Sequence, residues 1–271
     1  MDFDLSGVAL RVSGLPEAAA AALARDWAAF VAPPVGRPLL EVEVSRGRPV
    51  GGSPASFDPK AMHAALGPAA AAFRMPQGRI EVDDAGRARL ELASGIDSHE
   101  YYALLNLLRA GLAWRLLSRG GALLHAAGLV TGGRGIVLAG AEGSGKTTWS
   151  REGERGGASV VSDDLVMLDP EAGGFALLGA PFRSTHPVAF RRGRWPLAAS
   201  LFPRQGDPPA LAPVSPLLAQ ARIVANLPFV AEALDRDDRL RAVVARLVER
   251  VPCRELTFAP DPGYLELLRA L

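Results

Sequence analysis

The sequence predicts a mixed α/β protein, in which a core of strand, glycine loop and helix follows a small α/β region. Three observations carry this prediction. Residues 140–147 read Gly140-Ala141-Glu142-Gly143-Ser144-Gly145-Lys146-Thr147 and match G-x-x-x-x-G-K-[ST]. The run Ile136-Val137-Leu138-Ala139 enters this loop as an apolar strand, and Thr147-Thr148-Trp149-Ser150-Arg151 leaves it as a segment able to open a helix. Before residue 96, short stretches alternate apolar and charged residues, which is strand periodicity. The chain therefore divides into residues 1–96 and residues 97–271.

Taken in order, Val8 to Val12 is strand-like, and Pro16 suits the first turn of an alanine-rich helix over Glu17 to Phe30 that Pro33-Pro34 ends. Leu39 to Val44 predicts a second strand, and Gly47 to Phe57, rich in Gly, Pro and Ser, predicts a loop. Lys60 to Phe73 predicts a helix. Arg79 to Asp83 and Arg87 to Leu92 predict a hairpin turning at Asp84-Ala85-Gly86. Asp97 with Glu100 forms a capping-box pattern for a helix that Gly120-Gly121 stops, with apolar residues on more than one face. That helix is the joint between the two regions.

Leu123 to Val130, a Gly132-Gly133 turn and the strand from Ile136 predict a hairpin feeding the phosphate loop. A helix ends at Gly156-Gly157, and Ala158 to Ser162 predicts a strand ending in Asp163-Asp164. Phe182 to Arg204 carries five arginines and His186, a run that is either a solvated face or a source of phosphate clamps. Pro203 to Pro216 predicts a surface loop, Leu234 to Leu247 an amphipathic helix, Val251 to Phe258 a strand and Tyr264 to Leu271 a terminal helix.

Composition narrows the function classes. A net charge of +1 offers no field for nucleic acid or an anionic membrane. The segment Tyr101 to Leu117 is too short and, with Arg109 and Arg115, too charged to span a bilayer. The acidic start Met1-Asp2-Phe3-Asp4 lacks the basic region of a signal peptide, and the lone Cys253 fits a reducing compartment, so a cytoplasmic protein is expected. No Cys/His spacing suits zinc.

The chemistry lies in the loop. Its glycines let backbone N–H groups converge on one concavity, and the following helix adds unpaired donors from its first turn, through Thr148. Lys146 reaches the outer phosphates of ATP, and the Thr147 hydroxyl holds Mg²⁺. Of the 30 basic residues only Lys60 and Lys146 are lysine, which makes a chance lysine at this position improbable. Strand-terminal acids just beyond a P-loop face the metal and γ-phosphate, and alternation along a strand lets only one of Asp163 and Asp164 do so unless the strand bends. His125 stands in an apolar strand, where a core role competes with a functional one.

His125, the loop 140–147 and Val161-Ser162-Asp163-Asp164 resemble, in order and spacing, the catalytic domain of the HPr kinase/phosphorylase family, best over residues 120–180. The resemblance implies a P-loop kinase core of the HPr kinase and phosphoenolpyruvate carboxykinase type. It implies ATP and Mg²⁺ as cofactors and a phosphoryl transfer to a hydroxyl, a serine of a peptide or protein or else a small molecule. By the same resemblance Asp163 is the general base, His125 orients it, Lys146 holds phosphate, and Thr147 and Asp164 serve the metal. It further implies a homo-oligomer. The chain departs from the family in ending its loop Gly-Lys-Thr, and in having only Asp207 as an acid between Glu171 and Glu232, so the family's later acidic ligand has no counterpart. Arg183, the arginine nearest the acidic strand, is the candidate for the catalytic arginine. The alternative is a nucleotide-sensing module with little or no transfer; a carboxykinase acting on a keto acid is disfavoured by the missing His/Lys metal cluster.

Overall fold

The computed structural model describes residues 1–33, 36–47, 62–93, 100–182, 191–235 and 237–271. The predicted loop over residues 48–57, Lys60, the cap residue Asp97, and Arg183 and His186 lie outside them.

The first sheet takes its strands from β1 (Asp2–Asp4), β2 (Ala9–Ser13), β3 (Leu40–Gly47), β4 (His63–Leu66), β5 (Ala70–Met75), β6 (Gly78–Asp83) and β7 (Arg87–Ala93), in the order β1-β2-β3-β7-β6-β5-β4. The two parallel pairings, β2 with β3 and β3 with β7, need crossovers, and helix α1 (Glu17–Asp26) supplies the first. It buries Ala19 and Leu23, and Trp27 at its end packs edge-on against Phe3 and Phe182. The helix predicted over Lys60 to Phe73 is corrected to strands β4 and β5. Alanine favours a helix only as a propensity; here Gly67-Pro68 interrupts the run, and Ala71, Phe73 and Met75 alternate inward with at most 3% exposure.

Helix α2 (Glu100–Ser118) lies across this sheet and is buried nearly all round. Its Gly111 lets the backbone sit close, since a Cβ there would meet Ile80 Cδ1 at 3.1 Å and Leu40 Cδ2 at 3.2 Å. One continuous core runs from Leu10 and Phe73 in the first sheet through Leu104 and Trp114 of α2 to Leu124, Val166 and Leu240 beyond it. The helix is thus the joint expected from its all-round apolar pattern.

The second sheet begins with the hairpin β8 (Ala122–Thr131) and β9 (Arg134–Ala139), followed by α3 (Lys146–Arg155), β10 (Ser159–Ser162), β11 (Leu165–Glu171) and β12 (Gly174–Leu178). It continues with β13 (Arg194–Gln205), β14 (Ala210–Pro213), α4 (Pro216–Val224), α5 (Asp238–Arg250), β15 (Cys253–Phe258) and α6 (Tyr264–Arg269). Strand β8 pairs with β11, β11 with β12, β12 with β13, β13 with β9 and β9 with β8, so five strands close a barrel. Leu177 fills its interior: a Cβ at Gly135 would stand 2.7 Å from Leu177 Cβ, and one at Gly128 would stand 3.3 Å from Leu177 Cδ2. A second core of Leu138, Trp149, Leu201, Phe258, Tyr264 and Leu268 anchors α3.

The loop predicted over Pro203 to Pro216 is corrected as well. Residues up to Gln205 extend β13, and β14 adds an edge strand on β15. Proline is tolerated at both places, because Pro203 lies beyond the pairing of β13 with β9 and Pro213 ends an edge strand. Arg194 and Arg204, expected in a solvated run, bracket this central strand. Arg194 binds Asp169 at 2.7 Å and Glu171 at 2.7 Å.

Candidate functional site

Strand β9 delivers the chain to the phosphate loop, and α3 takes it away, so the expected strand, loop and helix are formed. Each glycine has a local reason. Gly145 at φ +99° precedes α3, and a Cβ there would approach Phe258 Cζ at 3.1 Å; at Gly140 it would meet Pro203 Cγ at 2.6 Å. Gly143, at φ +76°, faces open space. No side chain caps α3, so its first-turn donors keep their anion-binding character. Lys146 is 8% exposed and donates to the carbonyls of Gly140, at 2.6 Å, and Ala141, at 3.0 Å. Burial draws its pKa down, while the charges of Asp164 and Glu142 act to raise it. Among the described residues Ser144 Oγ is buried without a hydrogen-bond partner, Ala141, Glu142 and Thr147 are exposed, and Thr148 is half-buried.

The two acids are set by an interruption in sheet pairing. Ser162 pairs with Gly128 after a bulge, and the chain rejoins β8 at Leu165 opposite His125. Between them it bends at Asp163-Asp164. Ser162 Oγ holds the bend, donating to the Phe182 carbonyl at 2.6 Å and accepting from the Asp164 N–H at 3.2 Å. Ala126 ties the bend to the loop: its N–H donates to the Asp164 carbonyl at 3.0 Å, and it pairs on its other side with Ala139, the last residue before the glycines.

The bend gives the acids different surroundings. Asp163 is 3% exposed. The Asp164 carboxylate has His125 Nδ1 at 3.4 Å and Arg109 Nη1 at 3.9 Å. Burial pushes its pKa up, but hydrogen bonding from His125 and the charges of Arg109 and Lys146 outweigh this and hold it below the usual aspartate range. His125, expected beside Asp163, has its Nδ1 3.4 Å from the Asp164 carboxylate, in the bend that follows the bulge.

Arg109 belongs to this site and was not singled out as functional by the sequence. It projects from α2 over the Phe182 ring, 5.4 Å from its centroid, with Asn106 Oδ1 at 3.4 Å. Among the described residues its Nε is buried without a hydrogen-bond partner. Burial lowers the pKa of its guanidinium, against the opposing influence of Asp164 and Tyr101. The available signal was an arginine in the middle of a helix apolar on every side, a costly position unless its charge is used. Arg183 lies outside the described residues.

The arrangement suits a phosphate-bound cation better than a protein-caged one. Among the described residues no three His, Cys, Asp or Glu side chains cluster to hold a metal. Mg²⁺ needs no such cage, since it keeps waters and takes one or two protein oxygens beside substrate phosphates. Thr147 and Asp164 offer oxygens of that kind. The open side of Gly143, the orphaned Ser144 hydroxyl and the desolvated Lys146 ammonium fit a polyphosphate chain.

Comparison with known proteins adds no family: no family model matches the chain, and no curated protein matches it at a significant level. No helix among the described residues is long and apolar enough to cross a membrane.

Proposed function

We propose that this chain is an ATP-dependent phosphotransferase that passes the γ-phosphoryl group to a hydroxyl, a serine of a peptide or protein or a small molecule. The observation that carries the reading is the placement of Asp164 beside the strand that enters the glycine loop, its carbonyl accepting at 3.0 Å from Ala126, which pairs with Ala139, while the buried Lys146 donates to the loop carbonyls of Gly140 and Ala141. A cation that binds phosphate beside a carboxylate that accepts a proton is the minimum equipment for this reaction.

Bound MgATP supplies the transferable phosphoryl group and the metal's charge. The chain's own residues then position and neutralise. The amides of residues 143–148 and Lys146 hold the phosphates, and the Thr147 hydroxyl takes the metal. His125 fixes the Asp164 carboxylate, to which we assign acceptance of the hydroxyl proton in place of Asp163, because Asp164 is the acid more open to solvent and flanked by His125, Arg109 and Lys146. Arg109 adds positive charge to the same carboxylate and keeps it ionised.

The test is incubation with γ-labelled ATP and serine-containing peptides, with nucleotide binding followed in parallel by thermal shift. Label on the acceptor, lost in Lys146→Ala, supports the reading. Saturable binding without transfer to any hydroxyl would leave a nucleotide-sensing module instead, and no ATP-dependent stabilisation of the wild type would remove both.

A further inference from the structure

A second group of cations surrounds a pocket of about 360 Å³ built from the first sheet and the last turns of α2. None of its lining residues belongs to the phosphate loop. Leu39 just before β3, the β6–β7 turn at Asp84 and Ala85, and Gly7 form its backbone walls, and Arg37, Arg115 and Arg119 line it with their side chains. The turn comes close because Gly86, at φ +86°, takes a left-handed conformation directly against the Leu39 carbonyl.

The charge balance in this pocket is uneven. Arg119 has a carboxylate partner, since its Nε and Nη2 bind the two oxygens of Asp169 at 2.7 and 2.9 Å, a carboxylate it shares with Arg194. Arg239, packed over the Trp114 ring at 5.1 Å, is matched by Asp237. Arg115 differs. It is 8% exposed, and among the described residues it hydrogen-bonds only to backbone carbonyls, Leu39 O at 3.2 Å and Asp84 O at 2.6 Å. Arg37 on the rim likewise binds a carbonyl, Ala85 O at 3.2 Å. Carbonyl oxygens satisfy donors but carry no net charge.

A guanidinium taken out of water without a carboxylate is held at a cost that an arriving oxyanion offsets. The surroundings register this cost: burial lowers the pKa of Arg115, Asp83 and Asp84 oppose the shift, and Arg239 and Arg37 add to it. Guanidinium groups also present paired donors in the planar geometry that phosphate and carboxylate match. Asp84 lines the same pocket. Its carboxylate repels a bare anion and accepts from an oxyanion that carries a proton, so it selects among anions by their hydrogen-bond donors.

We propose that this pocket binds the phosphate group of a small ligand between Arg37 and Arg115, with Asp84 accepting a hydrogen bond from its hydroxyl. The site is independent of the phosphotransferase reading and survives its failure.

The experiment uses full-length Lys146→Ala protein, in which the phosphate loop is weakened, and titrates inorganic phosphate by calorimetry at constant ionic strength in chloride. Saturable binding of one equivalent is expected, weakened tenfold or more by Arg37→Gln, with sulfate, which has no proton to donate at neutral pH, binding several-fold less tightly than phosphate. Arg37 is exposed, so Arg37→Gln leaves the fold intact; Arg115→Gln should abolish binding, but it also removes the tie to the turn and serves as the second variant. Acetate titrated in parallel separates a phosphate site from a general carboxylate site. Absence of saturable binding, phosphate affinity unchanged by Arg37→Gln, or equal affinity for acetate or sulfate would overturn the proposal.

Discussion

Nδ1 of His125 lies 3.4 Å from one oxygen of Asp164, while Nη1 of Arg109 approaches the other oxygen at 3.9 Å. One carboxylate thus receives an imidazole from β8 and a guanidinium from α2, because the chain between β10 and β11 bends beside β8 and brings Asp164 to both. A carboxylate steered from both sides is pre-oriented, and orientation is much of what the proposed phosphoryl transfer would require.

The first prediction separates the paired acids. Asp164→Asn should keep ATP affinity within a few-fold and lower phosphoryl transfer on the order of 10²-fold, whereas Asp163→Asn should act mainly on stability. Single-turnover transfer and ATP titration on both variants make the comparison. If Asp163→Asn abolishes transfer and Asp164→Asn does not, the proton acceptor is Asp163 and our assignment is wrong.

The lowered pKa of Asp164 has a consequence for stability with a definite sign. A carboxyl ionised more readily in the folded than in the unfolded chain stabilises the fold above its unfolded pKa of about 3.9, and that contribution is lost as pH falls through the lower folded value. Chemical unfolding of wild type and Asp164→Asn should therefore show a gap that is constant from about pH 5 to 8 and closes below about pH 4. A gap that widens on acidification would mean that Asp164 is not ionised by its neighbours.

Local chemistry made part of this molecule legible. The glycine loop, the hairpin entering it, α3 and the strand leading to Asp163 each carry their own signal: glycines where backbone angles demand them, and apolar runs bounded by turns. What was not legible depends on register and on closure. Nothing in the order Ser162-Asp163-Asp164 reveals that a bulge places the second acid beside His125, because pairing of β10 and β11 with β8 decides it. The closing of five strands into a barrel joins residues far apart in the chain, such as Leu197 with Gly135. Alanine-rich β5 reads as helix until the buried face of α2 is there to receive Phe73 and Met75. Arg109 was visible only as a charge in an apolar helix, with its target more than fifty residues away in sequence.

Cys253 offers a check on burial near the end of the chain. Burial raises the pKa of its thiol to about 11, and Sγ donates weakly to the Val251 carbonyl at 3.5 Å. The thiolate is the reactive form, so native protein at pH 8 should react with a disulfide reagent on the order of 10²-fold more slowly than the denaturant-unfolded chain, whose thiol has a pKa near 8.5. Equal rates would place the sulfur in solvent.

The barrel interior makes the last prediction, because its packing separates two glycines that sequence treats alike. At Gly128 an added methyl would press on Leu177 Cδ2 at 3.3 Å and Val166 Cγ1 at 3.1 Å, whereas at Gly135 it would collide with Leu177 Cβ itself at 2.7 Å. Leu177→Ala removes the Cδ atoms and leaves the Cβ. Singly, Gly128→Ala should cost about 1–3 kcal/mol by overpacking and Leu177→Ala about 2–5 kcal/mol by leaving a cavity. Combined, they should cost less than their sum by about 0.5 kcal/mol or more, since the new methyl enters the space the leucine vacates. Gly135→Ala, whose methyl also meets Leu177 Cδ2 at 3.1 Å, should remain the costlier of the two glycine changes in the Leu177→Ala background, because the Cβ it strikes at 2.7 Å is still present. Urea unfolding of the two double-mutant cycles measures both terms, and additivity at Gly128 would mean that Leu177 does not fill the barrel.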